Sequence, residues 1–172
     1  MDADWNEVLF DVSTETNRVH LFAIHQEWIA GCAAAGFDAI EVDNIDANER
    51  SDGLLMHDDI RAYMTRVVEH AHDMGLAVAQ KNAIDPTHGF GADGPTFVSE
   101  TEGFDFAIVE QCAAFDECES YTSVYGDYVY DIEYDAAGFD QACDAFGQTV
   151  SLQLRDLELT VAGTAGHIEQ WC

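Results

Sequence analysis

Phe104–Cys112 reads FDFAIVEQC, and the order of its residues decides the fold. Phe104–Val109 is an aromatic and β-branched run of strand length. It stops at a carboxylate, Glu110, followed by a carboxamide, Gln111. The same construction recurs on both sides. Ala39–Val42 leads to Asp43-Asn44, Leu76–Gln80 to Lys81-Asn82, Tyr128–Ile132 to Glu133-Tyr134, and Val150–Leu154 to Arg155-Asp156. Val8–Val12 is a further strand-like run. Between these runs the apolar spacing is helical. In Asp58–Met74, Ile60, Met64, Val67, Ala71 and Met74 recur at three and four, with Asp58 expected to cap the start and Gly75 to follow the end. Glu15–Ala35 is expected to present Ile24, Trp28 and Cys32 on one face, and Ala136–Phe146 to present Phe139, Cys143 and Phe146, with Gly36 and Gly147 as stops. Strand alternating with helix is the signature of parallel α/β architecture. No internal repeat or linker divides residues 1–172, which read as a single domain.

In a parallel barrel every strand ends on one face, where such enzymes keep their chemistry. Side chains alternate along a strand. Ile40 and Val42 should therefore face covering helices while Glu41 and Asp43 face the lumen; Phe106, Ile108 and Glu110 share one face, and Asp131 and Glu133 another. The expectation is that Asp43, Lys81, Glu110 and Glu133 converge on a common mouth. A single acid after a strand means little in so acidic a chain, because strands end at surfaces. Five charged strand ends in succession mean more. Lys81 adds weight as the only lysine in the protein. Paired carboxylates suit glycoside hydrolysis, in which one protonates the leaving group and the other, ionised, attacks the sugar or activates water.

Thirty-four acidic residues against six lysines and arginines give a net charge of −28. Nucleic acid, which demands a basic surface, is excluded as a partner. The aromatic content of 11% and the periodic apolar blocks exclude disorder. A folded domain with a self-repelling acidic surface remains, one that salt relieves, as in proteins adapted to high salt. No apolar stretch reaches the roughly 18 residues of a membrane span, and the opening MDADWNEVLFDV shows no signal-peptide pattern. No metal site is expected: there is no HExxH, no C-x-x-C, and the His70-x-His72 pair lies in a helix. The acidic loop Asn44–Gly53 lacks the glycine and bidentate glutamate of a calcium loop. Walker A, GxSxG and GxGxxG patterns are missing, and no cofactor is implied. Trp5, Trp28 and Trp171 could stack on sugars, although Trp28 reads better as core. The polar, glycine-rich loop Asp85–Pro95 is either an active-site loop or an insertion. From spacing alone Cys112 and Cys118 are as compatible with a loop disulfide as with free buried thiols.

The blocks GFDAIEVDNID (Gly36–Asp46), AHDMGLAVAQKN (Ala71–Asn82), FDFAIVEQCAAFDEC (Phe104–Cys118), YVYDIEY (Tyr128–Tyr134) and LQLRDLEL (Leu152–Leu159) resemble glycoside hydrolase family 114, the endo-α-1,4-polygalactosaminidase family. The resemblance spans most of residues 28–159. It implies a parallel (β/α)8 TIM barrel that cleaves α-1,4-linked galactosamine polysaccharide, with Asp43 and Glu110 as the catalytic pair. Asn44, Asp46, Lys81, Asn82, Gln111, Glu133, Tyr134 and Asp156 would line the sugar subsites. It also implies a Cys112–Cys118 disulfide and, with it, an extracellular protein. The chain departs from the family at Val42, where proline is usual, at Gln80, where leucine is usual, and at Arg155, where lysine is usual. A full barrel needs about 250 residues. The expectation is thus a partial barrel lacking about the first three strands, whose open edge a homodimer can cover. The competing reading is a catalytically inactive truncated relative that binds sugar or cations.

Raising NaCl from about 0.1 M to 2 M shortens the Debye length from about 10 Å to a few ångströms, so the thermal midpoint should rise steadily. A midpoint that is flat or falls with salt, followed by circular dichroism, contradicts a surface limited by self-repulsion.

Overall fold

The computed structural model describes residues 7–83 and 103–172. Trp5 and the loop Asp85–Pro95 lie outside the described residues. The chain gathers into two compact units, Met1–Asp105 and Phe106–Cys172.

The first unit runs α1 (Glu15–Ala35), β1 (Ala39–Val42), α2 (His57–Asp73) and β2 (Ala77–Lys81). Thr14 starts α1 by accepting the Asn17 amide at 3.2 Å. Gly36 ends it at φ 85°, a left-handed conformation that an L side chain resists. The expected Asp58 cap of α2 is corrected: Met56 holds the N-cap position, and Asp59 is the third residue of the helix. Asp59, not Asp58, accepts the Met56 amide at 2.9 Å, while Asp58 pairs with Arg61 at 2.7 Å. Gly75, at φ 81°, follows the helix as expected. The helix buries Ile60, Tyr63, Met64, Val67, Val68 and Ala71, a continuous stripe.

The expected inner face of α1 is also corrected. Ile24 and Trp28 are 50% and 64% exposed, and Ile29 is the residue the helix buries. Apolar side chains lie all around α1, from Leu21 and Phe22 to Trp28 and Ile29, so spacing alone does not select a stripe. Arg66 and Arg18 tie α1 to α2, through Glu15 at 2.7 Å and Asp59 at 3.5 Å respectively. Val8–Val12 forms no strand. Val12 is buried, its carbonyl accepting from Arg18 at 2.7 Å, while Val8 and Phe10 are exposed. An apolar run becomes a strand only when a neighbouring strand takes its backbone groups.

The second unit runs β3 (Phe106–Glu110), α3 (Cys118–Tyr125), β4 (Val129–Glu133), α4 (Ala136–Phe146), β5 (Ser151–Arg155) and β6 (Glu169–Trp171). Asp135 caps α4, accepting the Ala137 and Gly138 amides at 2.9 and 3.0 Å. In both units the strands that alternate with helices pair in parallel: β1 with β2, β3 with β4, and β4 with β5. β6 returns antiparallel to β5. The α/β class read from the sequence is the observed one. Neither α3 nor β6 was expected.

The register of the second unit sorts its side chains. Val109 lies opposite Asp131, and Asp131 opposite Leu152; Glu110 lies opposite Ile132, and Ile132 opposite Gln153. Ala107, Val109, Val129, Asp131, Glu133, Leu152 and Leu154 are all buried, and α4 lies over this face with Gly138, Phe139 and Ala142. Glu110, Ile132 and Gln153 occupy the other face. The common mouth expected for Glu110 and Glu133 is thus not what the strands build: the two carboxylates point to opposite sides, because Glu133 shares its parity with Asp131 and not with Ile132.

A second disulfide, Cys143–Cys172, links α4 to the residue after β6 across a separation of 29. Closing a loop of that size is worth about 3–4 kcal/mol in the chain-entropy account. Replacing both cysteines by alanine should lower urea-unfolding stability by up to this amount and loosen β6 first. An unchanged midpoint would show that the bond constrains nothing the fold does not already hold.

Candidate active site

In the first unit the β1–β2 register, carried one residue past Val42 and Gln80, places Asp43 beside Lys81. The Lys81 Nζ lies 3.7 Å from Asp43 Oδ1, with the lysine side chain 9% exposed and the aspartate 63%. The Asn44 amide donates to the same Oδ1 at 2.9 Å. Arg50, a residue the sequence reading did not single out, donates to Asn44 Oδ1 at 2.8 Å and to Asp46 Oδ2 at 2.6 Å, which holds the two side chains together. Beside Asp43 and Asn44 opens a cavity of about 200 Å³, walled by Phe10, His25, Tyr63 and Met64. The Tyr63 hydroxyl meets His25 Nδ1 at 2.7 Å, and burial holds the imidazole pKa below its usual value. Trp28 stands against His25, ring centroids 5.1 Å apart, and is an exposed aromatic surface and not the core residue expected.

Asn44, Asn82 and Gln111 all take positive φ, at 58°, 47° and 60°. Each follows a charged strand-end residue: Asp43, Lys81 and Glu110. Three strand ends are thus built alike, with a charge and then a carboxamide in the left-handed region. Such a conformation costs on the order of 1–3 kcal/mol outside glycine, and asparagine bears it best. The turn after β2 extends it with Ala83 at φ 69°. Gln80 steadies this turn: fully buried, its amide donates to the Asn82 carbonyl at 2.8 Å. A leucine there has no such donor.

In the second unit Tyr134 donates its hydroxyl to Glu110 Oε1. The Gln111 amide is spent on the Ile132 carbonyl at 2.9 Å. The chain then enters a turn closed by the Cys112–Cys118 disulfide, with Cα atoms 4.8 Å apart, and by the Glu117 amide on the Cys112 carbonyl at 2.8 Å. Beneath that turn lie Asp131 and Glu133, both buried. Asp131 accepts the Cys112 amide at 3.3 Å and Glu133 the Ala113 amide at 2.9 Å. Burial, and then the charge of Glu133, push Asp131 up to about 7; burial also raises Glu133.

Asp43, Asn44, Asp46 and Lys81, with Asn82 next in sequence, gather in the first unit; Glu110, Gln111 and Tyr134 gather in the second. Glu133 has no access to solvent, and Asp156 is committed elsewhere. Its two oxygens accept the Thr160 amide at 2.8 Å and the Ile168 amide at 3.1 Å, and these bonds hold its pKa down at about 2. Arg155 braces the same loop through the Ile168 and Thr160 carbonyls. Asp131 was read only as sharing a face with Glu133, and Arg50 escaped the sequence reading. An Asp-x-Glu alternation inside a strand, followed by a glycine in the next helix, was the available signal for the first.

Parallel strands alternating with helices, three of them ending in a charge followed by a left-handed carboxamide, define an α/β protein that collects polar groups at its strand ends. Residues 1–172 match glycoside-hydrolase family GH114, and the chain belongs to that family. The fold is shared with a solved structure of Aspergillus fumigatus Ega3 in complex with galactosamine, at a TM-score of 0.70 and 21% sequence identity. The likeness covers 94% of this chain and 63% of that one, in keeping with a partial barrel. No curated protein sequence matches significantly. Among the described residues no helix is long and apolar enough to cross a membrane.

The Asp156 loop yields a pH prediction. Its folded pKa is depressed from 3.8 to about 2, so its contribution is present above about pH 4 and is lost as the pH falls through about 2. Asp156→Ala should speed amide exchange at Thr160 and Ile168 at pH 6, and the difference from wild type should shrink as the pH falls through about 2. Equal exchange at pH 6 would show that the carboxylate does not hold this loop.

Proposed function

We propose that this chain carries the catalytic centre of an endo-acting glycosidase for α-1,4-linked galactosamine polymers, with Asp43 and Glu110 as its carboxylate pair. The observation that carries the reading is the shared construction of three strand ends, a charge followed by a left-handed carboxamide. Backbone strain of this kind concentrates at functional sites, and membership of GH114 makes sugar cleavage the chemistry to expect there. The substrate class rests on the resemblance, on the galactosamine bound to Ega3, and on charge. A polymer of free amino sugars is cationic, and a surface of net charge −28 draws it in where a uronate would be repelled.

One carboxyl of the pair delivers a proton to the glycosidic oxygen as the bond breaks. The other, ionised, attacks the anomeric carbon or deprotonates the water that does. Tyr134 holds Glu110 in one orientation through its hydroxyl, and Lys81 balances the charge of Asp43. Asn44, Asp46, Asn82, Gln111 and Tyr134 offer hydrogen bonds to hydroxyls and amines, and the aromatic wall beside Asp43 suits the apolar faces of sugar rings. Two disulfides and a polymeric substrate fit an extracellular site of action.

Incubation with an α-1,4-galactosamine polymer should release new reducing ends. Glu110→Gln and Asp43→Asn should each lower kcat by about 10²–10⁴-fold while calorimetric binding of the polymer persists. Binding without turnover by wild type would favour the non-catalytic reading. In a crystal of the complex, a carboxyl separation of about 5–5.5 Å predicts retention at the anomeric carbon and about 6.5–9.5 Å inversion.

A further inference from the structure

We propose that Asp131 and Glu133 are positioning residues, which hold the Glu110–Gln111 turn in its working geometry from the opposite side of the strands. The inference rests on the reading of Glu110 as a reacting carboxylate. Neither residue reaches solvent, so neither touches a sugar; their effect must pass through the backbone.

The route is short. Glu110 ends β3, and Gln111 turns the chain in the left-handed region. The next two amides are then captured by the two buried acids, Cys112 by Asp131 and Ala113 by Glu133. The Gln141 side chain of α4 donates to the Ala113 carbonyl at 3.3 Å, so this residue is held at both its amide and its carbonyl. The turn that carries Gln111 is therefore pinned immediately after its strained residue, where it would otherwise relax.

The fold makes room for the arrangement. A methyl group on Gly138 would lie 2.5 Å from Glu133 Oε2, closer than atoms approach, so the absence of a side chain there seats the carboxylate against the first turn of α4. Asp131 shares its pocket with the disulfide: one of its oxygens and the sulfurs of Cys112 and Cys118 lie within 4.8 Å of one another. The surroundings are Val109, Leu152 and Leu154 from the flanking strands and Gly138, Phe139 and Ala142 from α4, all apolar and buried. An ionisable group beside the pair is Asp135 at the start of α4, whose charge adds to the upward push on Glu133.

Two buried acids on one face of a strand do not ionise together readily: burial and the charge of Glu133 favour the protonated form of Asp131, while Glu133 remains the acceptor for Ala113. The sign follows. Asp131 has a raised folded pKa, so its contribution is fully present below about pH 4 and is lost as the pH rises through about 7. Above that, two like charges meet in an apolar pocket and push the turn apart. The alkaline limb of catalysis is thus assigned to a group that never meets the substrate.

The test uses the whole chain and the variants Glu133→Ala, Glu133→Gln and Asp131→Asn, with Glu110→Gln as control. Amide exchange at Cys112 and Ala113 is followed by NMR, and kcat and KM are followed from pH 5 to about 9 on the galactosamine polymer. In Glu133→Ala, Ala113 should exchange about tenfold faster than the β3 and β4 amides account for, and kcat should fall about tenfold with KM nearly constant. Glu133→Gln, which keeps an acceptor, should restore most of both. Asp131→Asn, which cannot ionise, should retain activity above pH 7 where wild type declines. A folded Glu133→Ala with wild-type exchange and kcat, or an Asp131→Asn with the wild-type pH profile, overturns the proposal while leaving Glu110 in place. Wild type as inactive as Glu110→Gln would instead sink the glycosidase reading, and the positioning role with it.

Discussion

The chemistry of this chain depends on parity along parallel strands. Side chains two residues apart share a face and neighbours do not, and parallel register carries that alternation unchanged from strand to strand. Glu110 and Tyr134 meet because each is one step out of phase with the buried row Val109, Asp131 and Leu152. Asp131 and Glu133 are sealed beneath α4 for the same reason. A one-residue slip of β4 would exchange the two sets and send Tyr130 and Ile132 into the pocket. The buried acids therefore also specify register: Asp131 and Glu133 find amide donors in one alignment only.

The shortage of cations makes each one informative. Four of the five arginines sit in ion pairs with acids: Arg18 and Arg66 join α1 to α2, Arg61 pairs within α2, and Arg50 organises the loop after β1. The more exposed of these, Arg61–Asp58 and Arg66–Glu15, are worth little individually, about 0–1 kcal/mol. Their placement matters more than their energy. Arg155 braces the loop after β5 through carbonyls, and Lys81 is kept for the strand end beside Asp43. Three of the six positive groups, Arg50, Lys81 and Arg155, thus stand where the backbone leaves a strand.

Much of the fold was legible, and the misses have causes. The helices Glu15–Ala35 and Ala136–Phe146 are read to the residue because their ends are chemically marked by Thr14 and Gly36, and by Asp135 and Gly147. Four of the five interior strand runs are right in kind but begin or end a residue or two away. A strand's limits are set by its partner's hydrogen bonds, as when Gln111 donates to Ile132 just past the end of β3. β6 pairs with β5 from more than a dozen residues away, across the loop that Asp156 organises, and no local pattern announces it. Val8–Val12 failed for the converse reason, a good local pattern that joins no ladder among the described residues. At the candidate site, strand-end charges were visible as residue types. Their faces were not, because locating Glu133 takes counting parity through Ile132 and knowing which face α4 covers.

Buried acids beneath the Gln111 turn look wasteful, since apolar residues would fill the same space without desolvation cost. A hydrocarbon pocket, however, could not satisfy the Cys112 and Ala113 amides, which the tight turn after Gln111 directs inward and away from water. Leaving two such donors unpaired costs about 1–3 kcal/mol each, and the left-handed Gln111 adds strain of similar size. Main-chain carbonyls are not at hand, for those of β4 are committed to its neighbours. Carboxyl oxygens carried on alternate residues of the adjacent strand reach both amides at once, and a single retained proton keeps the pair from repelling itself. The strained turn and the acids beneath it form one device, in which the conformation that aims Gln111 creates the orphan amides that Asp131 and Glu133 exist to satisfy.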